Sequence, residues 1–352
     1  MLGVGIILIV MGLLLAVTGR QRIITAAASA FLLIAIGFTP MQKVLAGPCM
    51  RETNYFCIRI IDRTLDDQTT VRILALDRLV HGYSSLDNPL KLVYPYEKIV
   101  SEVTEYIAST DGDLTTNTPG VSENTKSVQS ALNTLSIGGG AYTFPRYLEA
   151  AYPQSTIDVV EIDPGVTKIA YDFLGLKPDT RIAIANEDAR TFVGQLPASK
   201  QYNLILGDAF SDFSVPYHLT TREFNEQLRR HMTDDGIYIL NVVDGKPFNF
   251  ITTFMHTLKL TFNHVYLIPS KPDYDVLVHS PFIVLASLQP IDITRLRNMT
   301  GDDSVHDIDK SLLSSERVTE MLKNGPQFTF ADDYVPVDNL LAPIFEANEA
   351  SQ

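Results

Sequence analysis

Residues that could hold a polar ligand follow three successive strand-like segments. Gly138, Gly139 and Gly140 come directly after TLSI, and their missing side chains let the backbone approach a ligand closely. Glu161 lies near the end of TIDVVEID, and Asp188 lies in NEDAR after the third segment. Open parallel sheets bind ligands at the carboxyl ends of their strands. We therefore expect Glu161 to accept hydrogen bonds from ribose hydroxyls and Asp188 to accept one from an adenine amino group.

The spacing of the glycines indicates which nucleoside would fit. GGGAYT lacks the third glycine of the G-x-G-x-x-G pattern, which disfavours a dinucleotide. S-adenosylmethionine or its decarboxylated form has no pyrophosphate and needs no such glycine. A glycine triplet alone is equally typical of a tight turn. The ordered combination of glycines and two acidic residues at strand ends favours an adenosyl ligand.

Seven strand-like segments predict the sheet that would position these residues. They are TLSIGG, TIDVVEID, RIAIANED, YNLILGD, GIYILNVVD, HVYLIPS and PFIVLAS. Strands that alternate with helices are typical of a doubly wound α/β architecture. We predict a seven-stranded, Rossmann-like, methyltransferase-type sheet in a nucleoside-binding domain over residues 126–345.

The chain before this domain has a different pattern. TNYFCIRIID and TVRILALD are rich in β-forming residues and predict strands. YPYEKIVSEVTEYIAS predicts a helix, with Ile99, Val103 and Ile107 on one buried face. This indicates a small β-rich subdomain with one helix over residues 41–109. The polar, aperiodic stretch over residues 110–125 is expected to be a linker.

Two uncharged segments near the amino terminus predict a transmembrane hairpin over residues 1–40. Leu2–Val17 and Ile23–Phe38 contain no charged residue and are separated only by TGRQR. Each is close to the lower limit of ~17 residues for a membrane span. A signal peptide is the alternative for the first segment. The hairpin predicts a multi-pass protein of the cell membrane with the lipid bilayer as a partner. The requirement for an adenosyl cofactor favours the cytoplasmic side for the large domain.

The charge of the chain excludes one class of partner. The formal net charge is −13. A nucleic-acid interface needs clustered lysine and arginine, so nucleic acid is not expected as a partner. An acidic protein could favour a cationic substrate such as a polyamine, although a solubilising acidic surface explains the same charge.

The motifs together resemble the spermidine synthase family of polyamine aminopropyltransferases, in particular its divergent membrane-associated branch. The resemblance rests on IGGG, VVEIDP, NEDART, YNLILGDAFSD and VPYHLTTREF, and on YPYEKIV upstream. It implies decarboxylated S-adenosylmethionine as cofactor, no metal, and Asp208 as the catalytic base. It also places Tyr96 near a tyrosine that holds the amine, and His81 where the family has a glutamine. Ala189 joins the glycines, Glu161 and Asp188 as a cofactor-binding residue.

The sequence departs from the family pattern at the substrate side of the site. Ala141 and Tyr142 replace the Asp-Gly of G-G-G-D-G, and that aspartate would pair with the aminopropyl ammonium. Asp212 stands four positions after Asp208, where the family has a spacing of three. Asp212 or Glu97 could take over binding of the amine. We expect His81, Asp212 and Tyr142 to contact the substrate.

These features predict an aminopropyltransferase that moves an aminopropyl group from decarboxylated S-adenosylmethionine to a polyamine. One alternative is an S-adenosylmethionine-dependent methyltransferase, which the missing acidic residue at position 141 favours. Another is a catalytically silent, membrane-anchored nucleoside-binding module.

His218 could act as a second base or cap the helix that follows it, and Thr220 or Thr221 could also provide that cap. The resemblance further implies a homodimer.

Overall fold

Four antiparallel strands form a small sheet near the amino-terminal end of the described chain. The computed structural model describes residues 49–77, 79–109, 130–210, 214–271, 273–276, 279–298 and 308–349. The strands are β1 (Arg51–Glu52), β2 (Cys57–Thr64), β3 (Thr70–Leu76) and β4 (Leu79–Ser85), paired in that order. Ile58 and Leu74 share one face of the sheet and are fully buried. The predicted β-rich subdomain is confirmed, with β1 and β4 as strands that the pattern did not indicate.

A mixed sheet of seven strands forms the larger part of the molecule. Its strands are β5 (Asn133–Ile137), β6 (Thr156–Val160), β7 (Ala183–Ala185), β8 (Tyr202–Gly207), β9 (Met232–Asp244), β10 (His264–Pro269) and β11 (Ser280–Ser287). Their spatial order is β10-β11-β9-β8-β5-β6-β7. Strand β11 is antiparallel to both of its neighbours, β10 and β9. The pairs β9–β8, β8–β5, β5–β6 and β6–β7 are parallel. All seven predicted strands are present, which confirms the Rossmann-like, methyltransferase-type fold.

Helices cover both faces of the large sheet. They are α1 (Pro95–Ala108), α2 (Thr143–Ala151), α3 (Pro164–Phe173), α4 (Ala189–Gln195), α5 (Arg222–Arg230), α6 (Asn249–Leu258), α7 (Ile293–Asn298), α8 (Ile308–Ser311), α9 (Ser315–Asn324) and α10 (Val337–Glu349). Apolar residues of α1, α2 and α3 pack on one face, and those of α5, α6 and α9 pack on the other. Ile99 and Val103 are fully buried in α1, so the apolar stripe predicted for this helix is confirmed.

Strand β4 ties the small sheet to the loop and helix that follow β5. Arg146 of α2 is buried, and its Nη1 donates hydrogen bonds to Ser84 Oγ at 2.5 Å and to the Leu174 carbonyl at 2.9 Å. Its Nη2 donates to the Ser85 carbonyl at 3.0 Å. A buried guanidinium with these partners holds two segments in one arrangement, because separating them would leave its donors unpaired. The small sheet is therefore positioned to contribute residues to the edge of the large sheet.

The predicted multi-pass location in the cell membrane is wrong. No helix among the described residues is long and apolar enough to cross a bilayer. The longest of them, α1, has 14 residues, and a span needs ~20. The two apolar segments on which the prediction rested, with the bilayer as their partner, lie outside the described residues, as does the predicted linker at 110–125. The predicted domain boundaries remain predictions.

Candidate active site

The carboxyl ends of β5, β6 and β8 lie side by side at one edge of the large sheet, and the predicted ligand-binding residues follow them. Gly138–Gly140 follow β5, Glu161 follows β6 and Asp208 follows β8. The Asp208 N–H donates to the Ile137 carbonyl at 2.9 Å, which extends the strand ladder past β8. The strand order reverses at β5, because β6 pairs on one side of it and β8 on the other. Open α/β sheets bind ligands at such a reversal.

Gly138 brings the loop after β5 against the backbone of Asp208. Its φ of 98° is in the left-handed region, which residues with a side chain rarely adopt. A Cβ atom at this position would also lie 2.7 Å from the Asp208 carbonyl oxygen, too close for any side chain. Position 138 therefore requires glycine for two separate reasons. Without a side chain here, the loop lies against Asp208 and leaves room for the cavities that it lines.

Two cavities open at this edge, and Asp208 lies where they meet. The wall of the first, the Glu97 cavity, includes Tyr94, Tyr96, Glu97, Ser136, Ala141 and Asn241. The wall of the second, the Glu161 cavity, includes Phe56, Glu161, Asp188, Ala189 and His218. Both cavities are also lined by His81, Gly138, Gly140, Asp208 and Phe210. Concave sites of this kind, lined by apolar and aromatic side chains with a few polar groups, are typical of small-molecule binding sites.

Glu161 fixes the glycine loop and lines the Glu161 cavity. Its Oε2 accepts hydrogen bonds from the N–H groups of Gly139 at 2.8 Å and Gly140 at 3.3 Å. Its Oε1 accepts from the Asp163 N–H at 2.9 Å. Burial raises the pKa of the Glu161 carboxyl, and the three backbone hydrogen bonds act against that rise. A carboxylate offers about four acceptor positions, so Glu161 retains capacity for a ligand hydroxyl.

Asp188 caps the amino-terminal end of helix α4 and contacts His218. Its Oδ1 accepts from the Thr191 N–H at 2.9 Å, and His218 Nε2 lies 2.7 Å from its Oδ2. Burial raises the pKa of Asp188, but the hydrogen bonds from Thr191 and His218 outweigh it and the pKa lies below its usual value. Thr221 rather than His218 caps α5, since its Oγ1 accepts from the Phe224 N–H at 3.2 Å.

Asp208 is held from both sides by hydrogen-bond donors. Tyr96 Oη donates to its Oδ2 at 2.8 Å, and Asn241 Nδ2 donates to its Oδ1 at 2.9 Å. Burial raises the pKa of the Asp208 carboxyl to about 6, against the hydrogen bonds from Asn241 and Tyr96. A carboxyl with such a pKa is mostly ionised at neutral pH and can still accept a proton, as a general base must.

Two further titratable side chains, those of Tyr96 and Glu97, lie close to Asp208. Burial, followed by the charge of Asp208, raises the pKa of Tyr96 well above its usual range, so its hydroxyl remains a donor. Glu97 is 2% exposed. Burial and then the charge of Asp208 raise the pKa of Glu97 to about 8. The ring of Tyr94 lies 5.3 Å from that of Tyr96 and extends the aromatic wall of the Glu97 cavity.

The structure brings most of the predicted site residues together and places Tyr142 outside both cavities. His81 lines both cavities, and Ala189 lines the Glu161 cavity at the start of α4. Tyr142 lines neither cavity, because its φ of 55° turns the ring beneath the loop. There the ring is fully buried, and its hydroxyl forms a hydrogen bond with Thr167 Oγ1 at 2.8 Å. Asp212 lies outside the described residues.

Asn241 is a site residue that sequence reasoning missed. It stands in the apolar run YILNVVD of β9, is 6% exposed, and contacts Asp208. A buried amide in a central strand needs hydrogen-bond partners, so its position in an apolar segment was the available signal.

A family model described as the spermine/spermidine synthase domain matches residues 118–266. The fold is similar to the crystal structure of a probable spermidine synthase from Corynebacterium glutamicum, with a TM-score of 0.65 and 20% identity. That similarity covers 81% of this chain and 96% of the other. At this level of identity the likeness concerns the fold.

Similar curated proteins include both aminopropyl and methyl transferases. A polyamine aminopropyltransferase of Vibrio vulnificus is 35% identical over 108 residues, which is 30% of this chain and 36% of the relative. An N-terminal histidine N-methyltransferase of Emericella nidulans is 39% identical over 112 residues, which is 31% of this chain and 19% of the relative. The matched segments therefore span about a third of one relative and a fifth of the other.

Proposed function

Because the chain belongs to the spermidine synthase family, we propose that it is an aminopropyltransferase. It would transfer the aminopropyl group of decarboxylated S-adenosylmethionine to an aliphatic amine of the polyamine class. The observation that supports this best is Asp208, a carboxylate with a pKa of about 6 at the junction of two cavities, held by Tyr96 and Asn241.

The Glu161 cavity would hold the adenosyl part of the donor. Glu161 would accept from a ribose hydroxyl at its remaining acceptor position, and Asp188 would accept from the adenine amino group. Ala189 would lie beside the base at the start of α4, where helix N–H groups lack partners within the helix. The backbone of the glycine loop would approach the donor because Gly138 has no side chain. The sulfur would then face Asp208.

The remaining chemistry needs a base and surroundings that stabilise positive charge. The amine nitrogen would bond to the carbon beside the sulfonium, and the carbon–sulfur electron pair would move to sulfur, so that methylthioadenosine leaves. Asp208 would accept the proton that the amine loses, a role that requires a carboxylate within hydrogen-bond distance. The rings of Tyr96 and Phe210 would favour the positively charged groups of both reactants through cation–π contacts.

A second candidate is methyl transfer from S-adenosylmethionine. It is favoured by Ala141, because the acidic residue that would select a decarboxylated donor is absent at that position. Calorimetry of the purified full chain with S-adenosylmethionine, its decarboxylated form and methylthioadenosine separates the candidates. We expect the decarboxylated donor to bind more tightly than the carboxylated one. The opposite preference would refute aminopropyl transfer, and binding of none of the three would favour a module without catalysis.

Asp208→Asn tests the base. Loss of a general base lowers turnover by roughly 10²- to 10⁴-fold, and we expect that loss in aminopropyl transfer. The affinity for methylthioadenosine, which has no amine, should stay within about twofold, because the carboxylate does not bind the nucleoside in this proposal. Asp179→Asn, at an exposed position, is the matched control and should leave both quantities unchanged. If Asp208→Asn lowers the two to the same extent, Asp208 supports the cavity and is not the base.

A further inference from the structure

Three buried polar atoms of the Glu97 cavity have no hydrogen-bond partner among the described residues. They are Oε2 of Glu97, Oγ of Ser136 and Oδ1 of Asn241. These residues are 2%, 1% and 6% exposed, respectively. Buried polar atoms in folded proteins almost always have partners, so three such atoms in one cavity wall point to a ligand with several donors. We call these three residues the three-acceptor site.

The fold brings the three residues to one side of the large sheet. Ser136 of β5 is in register with Leu206, and Leu206 is in register with Ile239 of β9. Asn241 stands two residues after Ile239, so its side chain points to the same face as that of Ser136. Helix α1 packs on this face and carries Glu97. Two strands and one helix therefore supply the three-acceptor site.

The free atoms are all able to accept, which selects the chemistry of the ligand. A bound ammonium would lower the raised pKa of Glu97 and shift this carboxyl to its ionised form, which only accepts hydrogen bonds. Asn241 uses Nδ2 as the donor to Asp208, so its free atom is the carbonyl oxygen. The Ser136 hydroxyl can accept through its lone pairs. A primary ammonium carries three donors and no acceptor, and its charge balances that of Glu97.

We propose that the three-acceptor site binds the primary ammonium at the end of the donor's aminopropyl group. This inference rests on the proposed function and assigns Glu97 the role that the family resemblance gives to the aspartate replaced by Ala141. Ala141 and Glu97 line the same cavity, so a carboxylate can serve this space from either wall. Glu97 and Asp208 are the carboxylates of the cavity among the described residues, and Asp208 is assigned to the attacking amine.

The same geometry would make Glu97 a specificity-determining residue. S-adenosylmethionine carries a carboxylate on the carbon that bears the ammonium. That carboxylate would lie beside Glu97, and two negative groups in a cavity with little water repel strongly. The three-acceptor site would therefore accept the decarboxylated donor and disfavour the carboxylated one.

The test measures dissociation constants of the full chain by calorimetry for the two donors and for methylthioadenosine. Glu97→Gln should weaken binding of the decarboxylated donor by roughly 10- to 100-fold, because a hydrogen-bonded charge is lost. The preference over S-adenosylmethionine should shrink by a similar factor. Methylthioadenosine has no ammonium, so its affinity should stay within about twofold, which also shows that the variant is folded. Glu105→Gln, on the same helix at an exposed position, should retain the wild-type preference.

Ser136→Ala provides a second variant that leaves both carboxylates in place. It should weaken binding of the decarboxylated donor roughly 3- to 10-fold and leave the affinity for methylthioadenosine unchanged. If the wild type prefers the decarboxylated donor and Glu97→Gln keeps this preference, the proposed role of the three-acceptor site is refuted and the proposed function still stands. A wild type that prefers S-adenosylmethionine overturns the proposed function as well, so the two failures are distinguishable.

Discussion

Glu97→Gln should change how the stability of the protein depends on pH. Burial and the charge of Asp208 raise the pKa of Glu97 from 4.5 to about 8 in the folded protein. Between these two pH values the unfolded chain loses this proton while the folded protein keeps it, so the wild type loses stability as the pH rises. At about 1.4 kcal/mol per pKa unit, the loss reaches about 5 kcal/mol above pH 8, as an upper value. Glutamine does not titrate, so the variant avoids this loss.

The assay is the free energy of unfolding from urea titrations followed by circular dichroism, since the chain has no tryptophan. Asp208 and Asp244, with pKa values of about 6 and about 7, titrate in both proteins, so the difference between variant and wild type isolates Glu97. We expect that difference to grow in favour of the variant between about pH 5 and about pH 9. Glu226→Gln, at an exposed position, should show no such growth. A Glu97→Gln difference that is constant over this range refutes the reasoning.

Two further predictions concern the residues around Asp208. Tyr96→Phe removes a hydrogen bond that lowers the pKa of Asp208, so the acidic limb of the profile of kcat/KM against pH should move to higher pH. An unmoved limb would show that Asp208 does not control this limb. Gly138→Ala introduces a Cβ 2.7 Å from the Asp208 carbonyl oxygen at a positive φ, and should weaken methylthioadenosine binding more than about tenfold. Gly194→Ala in α4 meets no atom within 4 Å and should leave that affinity unchanged, so equal effects would contradict the close approach at Gly138.

The sequence predicted the large sheet well because its strands carry strong local signals. Each of the seven is a run of β-branched and apolar residues bounded by glycine, proline or polar residues. The positions of Glu161 and Asp188 then follow from the rule that ligands bind at the carboxyl ends of parallel strands. The direction of β11 carries no such local signal, because it depends on which neighbours the strand pairs with in space.

The parts of the site that could not be predicted depend on tertiary contacts. Ser136 and Asn241 are single polar residues in apolar strands, and only the register of β5, β8 and β9 shows that they share a face. The orientation of Tyr142 depends on its left-handed backbone conformation, which no local pattern in GGGAYT indicates. Glu97 follows a tyrosine at the start of an amphipathic helix, where an exposed glutamate is the ordinary expectation, yet it is buried.

The contact between β4 and the loop after β5 restricts how this chain can change. A Cβ atom on Gly82 would lie 2.4 Å from the Cβ of Ala141, a distance at which two side chains cannot coexist. At least one of these positions must therefore be glycine for the small sheet to keep its place. Among evolutionary descendants of this chain, we expect an acid to return at position 141 only in lineages that retain glycine at position 82.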